Sequence, residues 1–260
     1  MILDVAGQRI VVTGGAQGIG SSVVRALVGE GADVAILDVA EERGRQVADD
    51  ARRAGPGTAT FSRCDVGRRT DVERGLANVA AEFGGLDALV HVAGVQTRAP
   101  AQELTDQDWD AVLDVNLRGA FLTNQAVFPH LRDAGGGRIL NFGSGAGLEP
   151  FPGAAHYSAA KAGIAAWSRT VAHEWGSYGI AVNTVVPAMW TPMYDTTRDG
   201  MTADQLATHD ALMRSKIPLG GTLGQSDRDL APVLVFLLSE AARFITGQII
   251  AVDGGLSTVR

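Results

Sequence analysis

The chain has a single cysteine, Cys64, in 260 residues. One thiol cannot close an internal disulfide, so an oxidising compartment is not implied and a cytoplasmic location is the expectation. Cys64 ends an apolar run just before Asp65 and reads as a small buried residue rather than a nucleophile. Cationic excess is lacking as well. Lys and Arg number 22 against 29 Asp and Glu, a formal net charge of -7. That balance excludes the basic stripe expected of a nucleic-acid-binding protein and the cationic face expected at an anionic membrane. No apolar run approaches the roughly 20 residues needed to span a bilayer. Met1–Ile10 has no basic segment leading into an apolar stretch, so no signal peptide is expected. Five histidines occur, but none has metal-ligand spacing backed by a third ligand, and no catalytic metal is expected. There is no Pro/Ser/Gly-rich linker, charge block or internal repeat at solenoid periods, so one domain over residues 1–260 is expected.

What the chain does have is alternation. With 46% hydrophobic and 20% charged residues it is globular in composition. Short apolar runs at Arg9–Thr13, Asp33–Leu37, Thr58–Ser62, Ala88–Val92, Arg138–Phe142, Ile180–Val186 and Gln248–Val252 read as strands. Several are apolar at nearly every position, as strands covered on both faces are. Helical patterns lie between them at Gly18–Gly29, Glu41–Ala54, Arg68–Phe83, Asp106–Val115, Ala120–Arg132, Ala155–Ser177 and Asp227–Ser239. The series predicts one doubly wound α/β domain, a mostly parallel seven-stranded sheet with helices on both faces. Only residues 188–226 break the rhythm. An insertion of that length in a compact domain is usually functional, and it is expected to be a substrate lid with one or two short helices.

The first strand runs into TGGAQGIG, which places Thr13, Gly14, Gly18 and Gly20 between a strand and a helix. Glycines there let backbone N–H groups approach a pyrophosphate, and the helix N-terminus adds partial positive charge. Asp38 ends the second strand, eighteen residues past Gly20, close to the spacing of about 20 for a carboxylate on the adenosine ribose hydroxyls. A 2′-phosphate would meet a like charge at Asp38, which favours NAD(H) over its phosphorylated form. Gln17 offers that phosphate no cation, although Arg43 or Arg45 could fold back toward it. The plainer reading of Asp38 is a cap on the following helix.

At the other end, Tyr157 and Lys161 stand four apart in a helical pattern and so share a face. A tyrosine is a poor base at neutral pH, but a neighbouring ammonium and an oxidised nicotinamide would both favour the phenolate. Such a tyrosine can take the proton of a secondary alcohol while hydride leaves for the cofactor. Ser144 follows the fifth strand, at the carboxyl edge where ligands bind in these sheets, and can hold the substrate oxygen. Alone, a Tyr and Lys four apart are most often a surface pair. Ser144 and the nucleotide turn are what raise them above that.

On these pieces the sequence resembles the short-chain dehydrogenase/reductase family. The resemblance covers essentially the whole chain: TGGAQGIG, Asp65-Val66, the AG of HVAG, NLRG, Ser144 with YSAAK, Pro187 to Thr191 and the terminal ITGQIIAVDGG. It implies a Rossmann-type domain. The cofactor set it implies is Gly14, Gln17, Gly18, Ile19, Gly20, Asp38, Asp65, Val66, Ala93, Gly94, Tyr157, Lys161, Pro187 and Thr191. Asp65 and Val66 would line the adenine pocket, Pro187 would lie beside the nicotinamide, and Thr191 would contact the carboxamide. Asn116 would join Ser144, Tyr157 and Lys161 as a fourth catalytic member, holding a water in a proton relay to Lys161. A homotetramer or homodimer acting on a small-molecule alcohol or ketone is implied. The chain departs from the family pattern at His91-Val92, where two asparagines are common, at Ala188, where glycine is common, and at Gly143, where serine is frequent.

Within the lid, Met189, Trp190 and Met193 are nearest the cofactor stretch and are the expected substrate pocket. His91 is expected to make a buried hydrogen bond, and His156 a structural contact beside Tyr157. Two other functions fit the same motifs: a 3-oxoacyl-thioester reductase, and a non-catalytic dinucleotide-binding sensor. The first usually prefers the phosphorylated cofactor. The second tends to lose the Tyr or Lys that are present here.

Overall fold

The computed structural model describes residues 4–257. Seven strands, β1 (Arg9–Thr13), β2 (Asp33–Asp38), β3 (Thr58–Arg63), β4 (Ala88–His91), β5 (Gly137–Phe142), β6 (Ile180–Pro187) and β7 (Ile249–Val252), form one sheet in the order β3-β2-β1-β4-β5-β6-β7. Every pairing is parallel. The strands lie within one or two residues of the apolar runs in the sequence.

Alternation along β1 explains the layers. Ile10 and Val12 face one apolar cluster and Val11 faces the other, because successive side chains in a strand point to opposite faces. The first cluster packs the sheet against α1 (Gly18–Gly29), α2 (Glu41–Ala54) and, at its far end, α9 (Ala231–Leu238). The second packs it against α3 (Arg69–Phe83), α5 (Gly119–Asp133) and α6 (Ala155–Trp175). Both faces are therefore covered, which is why β6 is buried at seven successive positions and carries no polar stripe.

Strand order reverses between β1 and β4: the chain winds outward from β1 through β2 to β3, then returns to β4. The loops leaving β1 and β4 diverge there and open a crevice at the carboxyl edge, the position where doubly wound sheets bind ligands.

Two helical stretches differ from the sequence reading. The patterns at 106–115 and 120–132 are one continuous run: α4 (Asp106–Leu113), a π turn over Asp114–Arg118, then α5. The break suggested by Gly119 is a packing contact, since a Cβ there would lie 2.9 Å from Val66 Cγ2. The last pattern likewise opens with a π turn, Ser226–Leu230, before α9. Between β6 and that turn lie α7 (Pro192–Asp199) and α8 (Ala203–Lys216), capped by Thr191 and Thr202. Among the described residues no helix is long and apolar enough to cross a membrane, and no group of three metal-ligating side chains occurs.

Candidate active site

The crevice is a cleft of about 670 Å³ running from the end of β2 to the lid. Its walls at the nucleotide end include Gly14, Gln17, Gly18, Ile19, Gly20, Asp38, Asp65 and Val66. At the other end they include Ala93, Gly94, Ser144, Tyr157, Lys161, Pro187, Met189 and Thr191. Gly14 has a φ of +68° and its backbone lies against Ala93, where a Cβ would come within 2.6 Å of Ala93 Cα. A side chain is therefore excluded on both conformational and steric grounds. Gly18 has a φ of +54° with open space where its Cβ would point, so a bulky anion can approach the helix start there. Asp38 reaches across the turn: Oδ2 accepts from Ala16 N–H at 3.0 Å and Oδ1 from Ala40 N–H at 2.9 Å. The carboxylate thus supports the loop before α2 and lines the cleft, but it does not cap that helix, whose N-cap Ala40 has no side-chain cap. Arg43 does fold back, donating to Gln17 Oε1 at 2.6 Å. Arg45 pairs with Glu41 instead. These residues suit a dinucleotide whose adenosine ribose lies between Asp38 and the Arg43–Gln17 pair.

At the chemical end, Ser144 leaves β5 and opens a short turn, its Oγ accepting from Ala146 N–H at 3.2 Å. Gly147 closes that turn against α6. A Cβ there would lie 2.7 Å from Ala162 N and 2.8 Å from Lys161 C. This contact sets Ser144 beside the helix that carries Tyr157 and Lys161, and the sequence reading missed it. The signal was available as a glycine three residues past the serine. Ser144 is hydrogen-bonded to Tyr157 and works to lower its pKa, but burial is the larger effect and holds the phenol above its ordinary value. The sequence expectation of a lowered phenol is therefore not met by the protein alone. Lys161 lies 5.6 Å from the Tyr157 ring centre and donates to the Phe142 carbonyl at 2.8 Å. It is buried, and burial pushes its own pKa down to about 8. An oxidised nicotinamide fits this gap in the electrostatics, because its positive charge would favour the phenolate.

Asn116 does not line the cleft. It is fully buried in the π turn behind Gly94. Its Nδ2 donates to the carbonyls of Val95 and Val112 at 2.8 and 2.9 Å, which fixes the amide with Oδ1 as a buried acceptor lacking a partner. A Cβ on Gly94 would lie 2.6 Å from that oxygen and 3.4 Å from Lys161 Nζ, so the orphan acceptor and the buried ammonium flank one glycine. A π turn in a functional helix of this kind re-aims one side chain.

Trp190, expected in the substrate pocket, is directed elsewhere. Its indole N–H donates to Asp195 Oδ1 at 2.7 Å, and its ring meets Tyr194 edge-on at 4.9 Å and the Arg198 guanidinium at 5.0 Å. Trp190 precedes α7 and packs on Tyr194 and Arg198, which share the face of α7 that turns to α8, where Tyr194 Oη meets His209 Nε2 at 2.6 Å and Arg198 pairs with Asp210. Pro192 and Thr196, on another face of that helix, line the cleft. The Met193 side chain lies outside the described residues. Cys64 is buried and its thiol is pushed up to about 12, chiefly by burial, so it is inert at neutral pH.

His91 ties the end of β4 to its neighbours. Its Nδ1 meets Thr13 Oγ1 of β1 at 2.9 Å and Thr123 Oγ1 of α5 at 3.1 Å, while buried Nε2 has no partner. Burial, aided by the Lys161 charge, pushes its pKa down to about 3. The unfolded chain then takes up a proton that the folded one refuses. This stability is complete above the free histidine value of about 6.5 and is lost as pH falls toward 3, by about 1.4 kcal/mol per unit. Urea unfolding at pH of about 7 and about 5 is expected to show His91→Asn losing about 2 kcal/mol less than the parent. Equal losses would remove His91 as the cause.

The chain is similar to known oxidoreductases. Residues 14–257 match a family model described as enoyl-(acyl carrier protein) reductase. The chain is 39% identical over 254 residues to D-threitol dehydrogenase of Mycolicibacterium smegmatis, covering 96% of this chain and 92% of that one. It is 34% identical over 251 residues to 3-oxoacyl-(acyl-carrier-protein) reductase FabG of Thermotoga maritima, covering 96% and 98%. Among solved structures, levodione reductase superposes with a TM-score of 0.90 at 27% identity, covering 96% of this chain and 97% of that one.

Proposed function

The chain is a member of the short-chain dehydrogenase/reductase family, and from that membership we propose an NAD(H)-dependent dehydrogenase that interconverts a small, neutral secondary alcohol and its ketone. The observation that carries the reading is the convergence of Ser144, Tyr157 and Lys161 on one cleft that also holds Asp38. When bound, oxidised nicotinamide supplies the hydride acceptor and a positive charge. The protein's part follows from its own atoms. Ser144, its Oγ already accepting from Ala146 N–H, has its hydroxyl hydrogen on Tyr157 and turns it to the substrate oxygen when substrate enters. The Tyr157 oxygen takes the alcohol proton as the carbonyl forms and returns it in reduction. Lys161 holds positive charge within reach of the phenol. The orphan Asn116 Oδ1 suits a water that passes the proton on from Lys161, as the family resemblance implies.

Cofactor choice rests on Asp38, whose carboxylate disfavours a 2′-phosphate. D-threitol dehydrogenase and cis-4-hydroxycyclohexanecarboxylate dehydrogenase are each 39% identical to this chain, which favours the dehydrogenase reading. A cytoplasmic homotetramer or homodimer completes the proposal, on the family resemblance and the lone buried Cys64. The intact Ser, Tyr and Lys set disfavours a non-catalytic sensor. A second reading, reduction of 3-oxoacyl thioesters, is favoured by the likeness to FabG.

The deciding measurement is NADH absorbance with purified protein on secondary alcohols and NAD, beside acetoacetyl thioester with NADPH. Turnover of alcohols with NAD at least about tenfold above turnover with NADP is the expected result. Turnover of the thioester with NADPH alone would replace this reading with the second.

A further inference from the structure

The substrate end of the cleft holds few polar side chains beyond the catalytic ones. Thr191 Oγ1 caps α7 through Tyr194 N–H, and Thr196 Oγ1 donates to the Pro192 carbonyl. Gln96 is different. It lines the cleft, is half-buried, and has no hydrogen-bond partner among the described residues. An amide placed this way offers donors and an acceptor to whatever enters.

Its backbone is held on both sides by the machinery around it. The preceding residue, Val95, gives its carbonyl to Asn116 Nδ2 at 2.8 Å. The following residue, Thr97, has Oγ1 2.7 Å from Nε2 of His156, a fully buried histidine immediately before Tyr157. Ala99 N–H then donates to the Gly153 carbonyl at 2.9 Å, fastening the loop to the segment that leads into α6. Position 96 is thus fixed with respect to Tyr157, and a binding group carried on a pinned loop is preorganised rather than recruited.

Charge narrows the ligand further. Among the described residues, Lys161 is the one cationic side chain lining the cleft, and it is committed to Phe142. The nearby guanidiniums are engaged elsewhere: Arg98 lies over the Phe151 ring at 4.7 Å, and Arg198 pairs with Asp210. A carboxylate or phosphate on the substrate would find no free cation there. Met189, Leu223 and Val95 supply apolar wall.

We infer that Gln96 reads a second, neutral oxygen of the substrate, so that the preferred substrates are compact diols whose second hydroxyl lies next to the one being oxidised. This rests on the alcohol dehydrogenase reading of the site and narrows it to a substrate class. One neutral hydrogen bond of this kind discriminates by about tenfold when the partner lacks the hydroxyl.

The test compares cyclohexanol with its vicinal cis-diol, by NADH absorbance, in the parent protein and in Gln96→Leu. The parent is expected to favour the diol by about tenfold or more in kcat/KM, and Gln96→Leu to erase that ratio by losing the diol while cyclohexanol stays within about twofold. Because Gln96 makes no internal hydrogen bond, the variant should fold, and unchanged NADH fluorescence titration and melting temperature verify this. A parent preference for cyclohexanol, or a ratio that Gln96→Leu leaves intact, overturns the role of Gln96 and spares the dehydrogenase. Absence of turnover on both compounds and on the wider alcohol panel overturns both.

Discussion

Replacing Tyr157 with phenylalanine is expected to lower kcat by about three orders of magnitude while NADH binds nearly as before. The ring stays, so the packing of α6 on the Ser144 turn stays with it. Lys161 donates to Phe142 rather than to the phenol and keeps its position. What goes is the one group in the cleft able to carry the alcohol proton at the reacting oxygen. Ser144 cannot replace it, because a serine hydroxyl is a far weaker acid. The parent should also oxidise alcohols faster as pH rises, since burial holds the Tyr157 phenol above its ordinary value and the base form is scarce at neutral pH. The residual rate of the variant should lack that rise. Stopped-flow NADH absorbance across pH, with fluorescence titration of NADH, separates the two effects. A variant within about tenfold of the parent would remove Tyr157 as the proton carrier.

The sheet was legible because its strands are apolar on both faces. A run such as AVNTVV in β6 has few other ways to be buried. The nucleotide turn and the Tyr157–Lys161 pair were legible because each depends on local spacing. What sequence could not supply was direction. Trp190 and Met189 are adjacent, yet one packs onto α7 and the other lines the cleft, and only the placement of α7 decides which. Tyr194 and Arg198 carried a hint, since spacing of four marks one helix face. Asn116 was placed in a gap between two helices, whereas the chain stays helical through a π turn whose irregularity leaves no periodic trace. Tyr157 was expected to be made acidic by two cations, the Lys161 ammonium and an oxidised nicotinamide, of which the protein supplies the first. That ammonium lies 5.6 Å from the ring centre, and desolvation of the phenol outweighs the Ser144 hydrogen bond that favours its ionised form.

Asp38→Ser is expected to raise the ratio of NADPH to NADH use, as kcat/KM, by about two orders of magnitude. Two unit charges about 4 Å apart repel by about 4 kcal/mol at an effective dielectric near 20, and screening at this exposed edge reduces that to roughly 2–3 kcal/mol. Serine removes the charge and leaves room for the phosphate, while the ribose hydroxyls lose a strong acceptor, so NADH use should fall as NADPH use climbs. Loop support is the competing consideration, since Asp38 accepts from both Ala16 and Ala40. A purely structural role would weaken both cofactors together, and the ratio distinguishes the two. Arg43 sharpens the test. It already stands against Gln17 on the turn, where a guanidinium can meet a 2′-phosphate once the repelling Asp38 charge is gone. Adding Arg43→Ala to the serine variant should therefore cancel part of the gain with NADPH and leave NADH use unchanged. If the serine variant keeps the parental ratio within about threefold, carboxylate repulsion is not what selects the cofactor, and the assignment to NAD(H) loses its physical basis.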